Sequence, residues 1–433
     1  MHTVPRDDET KEQALLVGVG PRDDRSSSLE EHLDELAELV FTAGGEVSGK
    51  IIQRRNRPDA ATFIGKGKAE QMFNQAAELG CTLIVFDDDL GPAQHKNLQK
   101  MAGNDLKIID RSGLILDIFA RHARTRESRT QVELARLQYL LPRLTRQWTH
   151  LERQVGGIGA RGGAGETQIE VDRRLIRKRI LRLENDLERI SAERITQRSG
   201  RKSSFRVALV GYTNTGKSTL FNALTGADTL IEDQLFATLD TTTRKLPLGN
   251  GKPILISDTV GFIRKLPHHL VASFRATLAE VAEAQLIIKV LDASSHQIKD
   301  HDETTVQVLQ DLGAQSTPTV TVLNKIDRVD DQAWMENLKR SFPDAAMVSA
   351  AKRLRLEQVE DAIVAARSAQ YRQATLTLAS GDSELISEVY DNLEVSDRTF
   401  QGNTTVLTVS GPSEIVEAFV GKAAAGSDSR QSQ

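Results

Sequence analysis

The sequence predicts an α/β protein built around a doubly wound sheet, and three observations predict it. Apolar strand-like runs alternate with amphipathic helical stretches through most of the chain. One such run, Phe205–Val210, passes directly into Gly211-Tyr212-Thr213-Asn214-Thr215-Gly216-Lys217-Ser218, the glycine and lysine spacing of a phosphate-binding loop. Further downstream, short polar motifs each close an apolar run, as they must if they line the carboxyl edge of one sheet. At 433 residues the chain exceeds what one core serves, so two to four domains are expected.

Residues 12–120 read as an N-terminal α/β subdomain. Ala14–Val19 is a strand, and Leu29–Phe41 is an amphipathic helix with Leu33, Leu36, Leu39 and Val40 on one side. Thr82–Phe86 is a second strand, and the apolar runs Lys107–Asp110 and Leu114–Phe119 complete the region. Gly65-Lys66-Gly67-Lys68 is either a phosphate or RNA contact or a turn with solvated lysines. Asp87-Asp88-Asp89 reads as a strand-end loop rather than a metal site, and Cys81 as a core filler.

Residues 121–200 read as an antiparallel helical hairpin with a glycine-rich loop. Leu134, Leu137, Leu141, Leu144, Trp148 and Leu151 are spaced 3, 4, 3, 4, 3, and Ile176, Ile180, Leu183, Leu187 and Ile190 are spaced 4, 3, 4, 3. These are heptad seams, predicting two helices of about 25 residues, roughly 35–40 Å long, with Pro142 either kinking the first or lying at a break in it. Between them Gly156–Gly165 holds six glycines in ten residues, a loop that gains nothing in a core. From Arg121 to Arg201 there are 19 Lys/Arg against 10 Asp/Glu, whereas the whole chain carries a net charge of −4. A basic arm inside an acidic protein is the footprint of a polyanion contact, and RNA suits it better than a protein groove.

Residues 203–368 read as the nucleotide domain. Backbone N–H groups of Gly211–Lys217 and the opening helix, with Thr219 in its first turn, would cradle phosphates. Lys217 would reach the β/γ-phosphates, and Ser218 would offer its hydroxyl to Mg²⁺. Leu235-Phe236-Ala237-Thr238-Leu239-Asp240 precedes a hairpin that turns at Gly249-Asn250-Gly251, and Thr238 is the expected second hydroxyl on Mg²⁺. In Asp258-Thr259-Val260-Gly261, Asp258 would hold Mg²⁺ through water and the Gly261 N–H would reach the γ-phosphate. In Asn324-Lys325-Ile326-Asp327, the Asp327 carboxylate matches the two N–H donors of guanine, a pair that adenine lacks. Ser349-Ala350-Ala351-Lys352 would bring backbone N–H groups to the guanine carbonyl. Together these define a P-loop GTPase domain, with GTP and GDP as substrate and product.

Residues 374–422 read as a small C-terminal α/β domain: helix Glu384–Leu393, strand Thr405–Val409, helix Glu414–Val420. Ala423–Gln433 is expected to be disordered. No apolar run approaches the roughly 18 residues of a membrane span, and Met1–Thr10 is too charged for a signal peptide. The single cysteine excludes an intramolecular disulfide and any cysteine-based zinc site, so the cytoplasm is the expected compartment. A monomer is expected.

With these motifs in hand, the chain resembles the HflX family of translation-associated GTPases over nearly its whole length. The resemblance rests on Arg124–Ser128, Trp148–Gln154, the glycine loop running into Gly165–Glu170 and Asp172–Arg174, and Asp233–Asp240. It implies a ribosome-associated factor that binds the large subunit and its rRNA, reaches toward the peptidyl transferase centre with the glycine loop, and splits stalled ribosomes under stress. The sequence departs from the family in two places. Arg161-Gly162-Gly163-Ala164-Gly165-Glu166 stands where the family commonly reads R-G-P-G-E, and Asp240-Thr241-Thr242 where it reads D-P-T.

Many GTPases place a Gln directly after D-x-x-G to orient the attacking water, but Phe262 stands there and has no hydrogen-bonding group. Slow free hydrolysis is expected, with water positioned by backbone, K⁺ or a partner. Three rival readings remain open. One is a signalling GTPase using the hairpin as a docking arm, and another an RNA-stimulated ATPase or helicase using the N-terminal region. The third is an assembly scaffold with structural nucleotide.

Overall fold

The structure, a computed structural model, describes residues 11–21, 28–103, 105–144, 168–199, 204–227, 235–236, 238–246, 248, 254–265 and 280–428. The chain divides into two compact units. The first comprises Met1–Ile190, Glu232–Leu239 and Arg264–Arg275, and the second comprises Ser191–Ile231, Asp240–Ile263 and Ala276–Gln433.

The first unit opens with β1 (Gln13–Gly20), α1 (Ser28–Thr42), β2 (Glu46–Arg54), α2 (Lys66–Glu78), β3 (Leu83–Phe86), α3 (Pro92–Ala102), β4 (Lys107–Asp110) and α4 (Arg111–His122). The four strands are parallel, in the order β2-β1-β3-β4. Parallel strands joined by crossover helices are covered on both faces, so β3 reads Leu-Ile-Val-Phe and all four residues are buried. The expected strands and the first helix fall where the sequence puts them. Leu114–Phe119, however, lies inside α4, whose start is capped by the Asp110 carboxylate accepting from the Gly113 N–H at 2.9 Å. Lys66 and Lys68 stand in the first turn of α2, Lys66 exposed, as solvated lysines would. Cys81 is half-buried and packs against the N-terminal core. The acidic run is engaged by protein: Asp87 pairs with Arg111 at 2.7 Å, and Ser112 donates to Asp89.

Two further helices of this unit are α5 (Arg126–Leu140) and α6 (Gln168–Ser199), the latter passing into the second unit after Ile190. The heptad seam is present: Leu134, Leu137 and Leu144 cluster with Ile176 and Leu183, joined by the partly buried Leu141, Ile180 and Leu187. Arg179 adds a two-pronged hydrogen bond to Glu133, at 2.7 and 2.9 Å. The lengths differ from expectation. The first helix stops at Leu140 and tightens into a 3-10 turn, Leu141–Arg143, because Pro142 cannot supply the N–H of a continuing α-turn. The second runs 32 residues. Trp148, Leu151 and the glycine loop Gly156–Gly165 lie outside the described residues.

Asp110, fully buried, fixes the end of α5. Its carboxylate accepts from the Leu90 N–H at 3.0 Å, the Tyr139 hydroxyl at 2.8 Å and Arg143 at 3.0 Å, besides the Gly113 N–H. A buried carboxylate so fully paired avoids the cost of an isolated charge. Three residues from the middle of the chain also belong to this unit. The Phe236 ring meets Phe119 edge-on at 4.7 Å, Arg264 pairs with Glu35 at 3.3 Å, and Lys265 pairs with Asp87 at 2.7 Å.

The second unit carries a six-stranded sheet in the order β10-β9-β8-β5-β7-β6, from β5 (Arg206–Val210), β6 (Thr242–Leu246), β7 (Ile254–Asp258), β8 (Leu286–Asp292), β9 (Thr319–Asn324) and β10 (Ala346–Met347). Of these six strands β6 alone is antiparallel, paired with β7; the turn expected between them lies outside the described residues. Helices α7 (Lys217–Thr225), α8 (Ile298–Asp311), α9 (Gln332–Ser341) and α10 (Leu356–Gln370) alternate with the strands. Leu209, Phe221, Ile256, Ile288 and Val322 form part of its fully buried core.

The tail is a three-stranded antiparallel sheet, order β11-β13-β12, from β11 (Tyr371–Ala379), β12 (Glu394–Gln401) and β13 (Thr404–Pro412). Helices α11 (Ser383–Asn392) and α12 (Ser413–Asp428) accompany it. The expected disorder from Ala423 is corrected: α12 continues to Asp428, since the alanine run favours helix and Ala423 packs on the small core. Residues 429–433 lie outside the described residues.

Candidate functional site

The phosphate loop connects β5 to α7 at the carboxyl edge of the sheet, and its glycines are dictated by close approach. At Gly211, φ is 148° and a Cβ would stand 2.2 Å from the Val290 carbonyl oxygen. At Gly216, φ is 87° and a Cβ would stand 2.3 Å from Asn324 Nδ2. No other residue fits either position. Asn214 takes a left-handed conformation, φ 57°, which asparagine tolerates better than most.

Lys217, buried, donates to the carbonyls of Gly211 at 3.1 Å and Tyr212 at 2.7 Å. Burial pulls its ammonium down to about 8, Asp258 pulling the other way and Lys325 adding repulsion. The Thr215 hydroxyl donates to the Tyr212 carbonyl at 3.0 Å, so that one carbonyl serves both the lysine and the loop. Ser218 and Thr219 stand in the first turn of α7.

The Asn324-Lys325-Ile326-Asp327 motif, expected at a strand end, starts at the last residue of β9 and clamps the loop from the side. Asn324 Nδ2 donates to the Thr215 carbonyl at 2.9 Å, while its Oδ1 accepts from the Ala350 N–H at 3.0 Å. Lys325 Nζ donates to the Asn214 carbonyl at 2.6 Å and pairs with Asp292 at 2.8 Å. Asp292, at the end of β8, has no motif to mark it in the sequence. Ile326 and Asp327 sit in a 3-10 turn, and the Asp327 carboxylate faces solvent. Ser349 is fully buried and bridges to Leu354, while Ala350 is buried and Ala351 exposed.

Asp258 closes β7, and the next residue, Thr259, fully buried, donates its hydroxyl to the Leu209 carbonyl at 2.6 Å. Val260 is buried, and Gly261 lies against the phosphate loop: a Cβ there would stand 2.8 Å from Thr213 Cα and 3.0 Å from Lys217 Nζ. The segment is zipped to the loop by two backbone bonds that the sequence does not suggest. The Phe262 N–H donates to the Gly211 carbonyl at 3.0 Å, and the Thr213 N–H donates to the Phe262 carbonyl at 2.7 Å. On the other side the Tyr212 ring stacks on His301 of α8, centroids 3.9 Å apart.

The structure thus brings Gly211–Thr219, Asp258–Gly261, Asn324–Asp327 and Ser349–Ala351 to one edge of one sheet. Phe236, Thr238 and Leu239 belong to the first unit and Asp240 to the second, while Ala237 lies outside the described residues. Among the described residues no cluster of three His, Cys, Asp or Glu could hold a metal, and no helix is long and apolar enough to cross a membrane.

A mostly parallel sheet with a glycine loop between its central strand and a helix, clamped by an Asn-Lys-x-Asp turn, defines a P-loop GTPase. Family models agree: residues 30–120 match the "GTP-binding GTPase N-terminal" model, 122–201 the "GTP-binding GTPase Middle Region" model and 206–325 the "50S ribosome-binding GTPase" model. The chain is 42% identical to the GTPase HflX of Escherichia coli, covering 88% of each, and 52% identical to that of Flavobacterium psychrophilum, covering 73% of this chain and 76% of the relative. The chain belongs to the HflX family, and it is a GTP-binding enzyme that hydrolyses GTP. Among solved structures it is similar to a GTP-binding protein of the archaeon Sulfolobus solfataricus in complex with GDP, at 25% identity and a TM-score of 0.42, covering 82% of this chain and 98% of that one.

Proposed function

We propose that the protein is a GTP-driven switch of the cytoplasm that acts as a monomer, binds the large ribosomal subunit and its rRNA, and dissociates stalled ribosomes under stress. The observation that carries the ribosomal part is the surface of α6. With Ile176 and Leu183 turned into the seam, Arg174, Arg177, Lys178 and Arg182 stand exposed along the helix. A stiff helix with its seam face covered and these four cations exposed, alongside Leu175 and Leu181, suits a phosphate backbone. The name of the matching family model, "50S ribosome-binding GTPase", supports the same partner.

At the nucleotide site, Gly211–Thr219 cradle the phosphates with Lys217 on the β/γ-phosphates. The Asp327 carboxylate reads guanine, and the backbone of Ser349, Ala350 and Ala351 borders the base. Asp258–Gly261 and Phe236–Asp240 are the two segments that respond to the γ-phosphate. The oxygen donors Ser218 and Asp258, with Asp258 buried beside the lysine, have the hard chemistry that Mg²⁺ takes, and Thr238 is the third candidate ligand. When bound, the ion would neutralise charge developing on the phosphates.

The test is GTP turnover with and without isolated large subunits, followed by subunit splitting on a sucrose gradient. Acceleration by the subunits, and loss of splitting when Gly156–Gly165 is deleted, are expected. Turnover indifferent to the subunits, together with no co-sedimentation, would favour a protein-directed signalling GTPase. Full splitting by the loop-deleted protein would remove the loop from the mechanical step.

A further inference from the structure

The buried hydroxyl of Thr213 is left over by every role described so far. Thr213 is 5% exposed, its Oγ1 is buried, and among the described residues no protein group bonds to it. Its backbone N–H is already used by the Phe262 carbonyl, so the loop's shape does not need the hydroxyl. Packing does not need it either, because valine has the same outline and would avoid the cost of a buried unpaired polar atom. An orphan hydroxyl held at a phosphate loop invites a ligand explanation.

Its surroundings say which ligand. A Cβ built on Gly261 would stand 2.8 Å from Thr213 Cα, 2.9 Å from its Cγ2 and 3.0 Å from Lys217 Nζ. Thr213, Gly261 and Lys217 therefore converge on one small region, the place where a terminal phosphate meets the loop lysine. Phe262, the residue that would otherwise reach over the terminal phosphate, is 2% exposed, with its ring in the interior. Thr213 thus brings its Cα and Cγ2 to this convergence, with the unpartnered Oγ1 one bond away on the same Cβ, where the neighbouring Gly261-Phe262 step supplies no side-chain donor.

We propose that Thr213 is a catalytic residue, its Oγ1–H donating to an oxygen of the γ-phosphoryl group as that group is transferred to water. The inference rests on the reading of Gly211–Ser218 as a phosphate cradle, and is independent of the ribosomal role. In the step itself the water oxygen bonds to the γ-phosphorus. The bond from phosphorus to the β–γ bridging oxygen breaks, its electron pair leaving with GDP, and the water proton ends on the released phosphate. Thr213 gives up no proton. It holds an equatorial oxygen in place as the group flattens between the attacking and leaving oxygens, a geometry that bound GTP lacks, so its loss should appear in turnover rather than in affinity.

The experiment compares Thr213→Val, Thr213→Ala and Thr213→Ser in the full chain, measuring GDP affinity first and then GTP turnover at saturating nucleotide. Valine and alanine should lower kcat about tenfold to a hundredfold, with GDP affinity within about threefold of the native protein. Serine should keep kcat within about threefold. If valine compromises folding, alanine against serine decides the matter. Native turnover in all three variants would overturn the proposal, as would a loss of GDP affinity as large as the loss of turnover. Failure of the native chain to bind GDP at all would instead overturn the phosphate-cradle reading.

Discussion

Asn324 and Gly216 are packed so tightly that a Cβ on the glycine would stand 2.3 Å from the asparagine amide nitrogen. The contact joins the base-side motif to the phosphate loop. The same amide donates to the Thr215 carbonyl at 2.9 Å, and its oxygen holds the Ala350 N–H at 3.0 Å. One side chain therefore sets the spacing between the phosphate end and the base end of the site.

Replacing Asn324 with Ala should strand a carbonyl and an N–H in a buried place, at about 1–3 kcal/mol each. We expect a lower Tm and a loss of GDP affinity of about tenfold to a hundredfold. Gly216→Ala, at a left-handed φ and in direct collision, should be worse still. Calorimetric titration with GDP checks both, and an unaffected Asn324→Ala would mean the loop keeps its shape without the clamp.

Asp327→Asn should weaken GTP by about tenfold or more, because an amide cannot accept from both guanine donors, and should admit xanthosine triphosphate. Competition between the two nucleotides reads this directly. Equal GTP affinity in the variant would remove Asp327 from base recognition.

Much of this site is legible in the sequence because its residues are tied to loops at strand ends, where spacing along the chain is spacing in space. Gly211, Lys217, Asp258, Asn324 and Ser349 obey that rule. Asp292 and His301 do not show: each acts through a partner distant in sequence, Lys325 and Tyr212 respectively, and an acid or histidine beyond a strand has many other uses. In the fold, β2 escapes detection because its burial is mixed, with Ile51 buried among Lys50, Gln53 and Arg54. The edge strand β12 carries mostly polar, exposed residues and so lacks the alternation that marks β13, while β11 alternates only over Thr375–Leu378, too short a run to stand out. Pro142 leaves a kink and a break both open in the sequence, since the two differ only in the path of the chain beyond the proline, and the structure shows the break.

Salt dependence should isolate the basic face of α6. Replacing Arg173 and Arg174 with Ala should lower affinity for large subunits. The slope of log affinity against log salt should fall by about 0.7–0.9 for each phosphate no longer neutralised. GDP affinity should not change. Binding measured from low to moderate salt tests this, and an equal fall in GDP affinity would mean that these arginines support the fold.

Lys217 should make nucleotide binding depend on pH. Its ammonium is held down to about 8 by burial first, with Lys325 adding repulsion, against an ordinary value of 10.5. A phosphate group brought beside it favours the charged form and raises that value again. Below about pH 7 the empty site already holds the proton, so binding takes up none. Above about pH 8 the empty site is mostly neutral, and each nucleotide must bring a proton with it. GDP affinity should therefore fall as pH rises through 8, by up to about tenfold per pH unit. Calorimetry at about pH 7 and pH 8.5, in two buffers of different ionisation enthalpy, measures the uptake directly. It should rise from near zero toward one proton per GDP, and a flat result would show that Lys217 stays charged in the empty site.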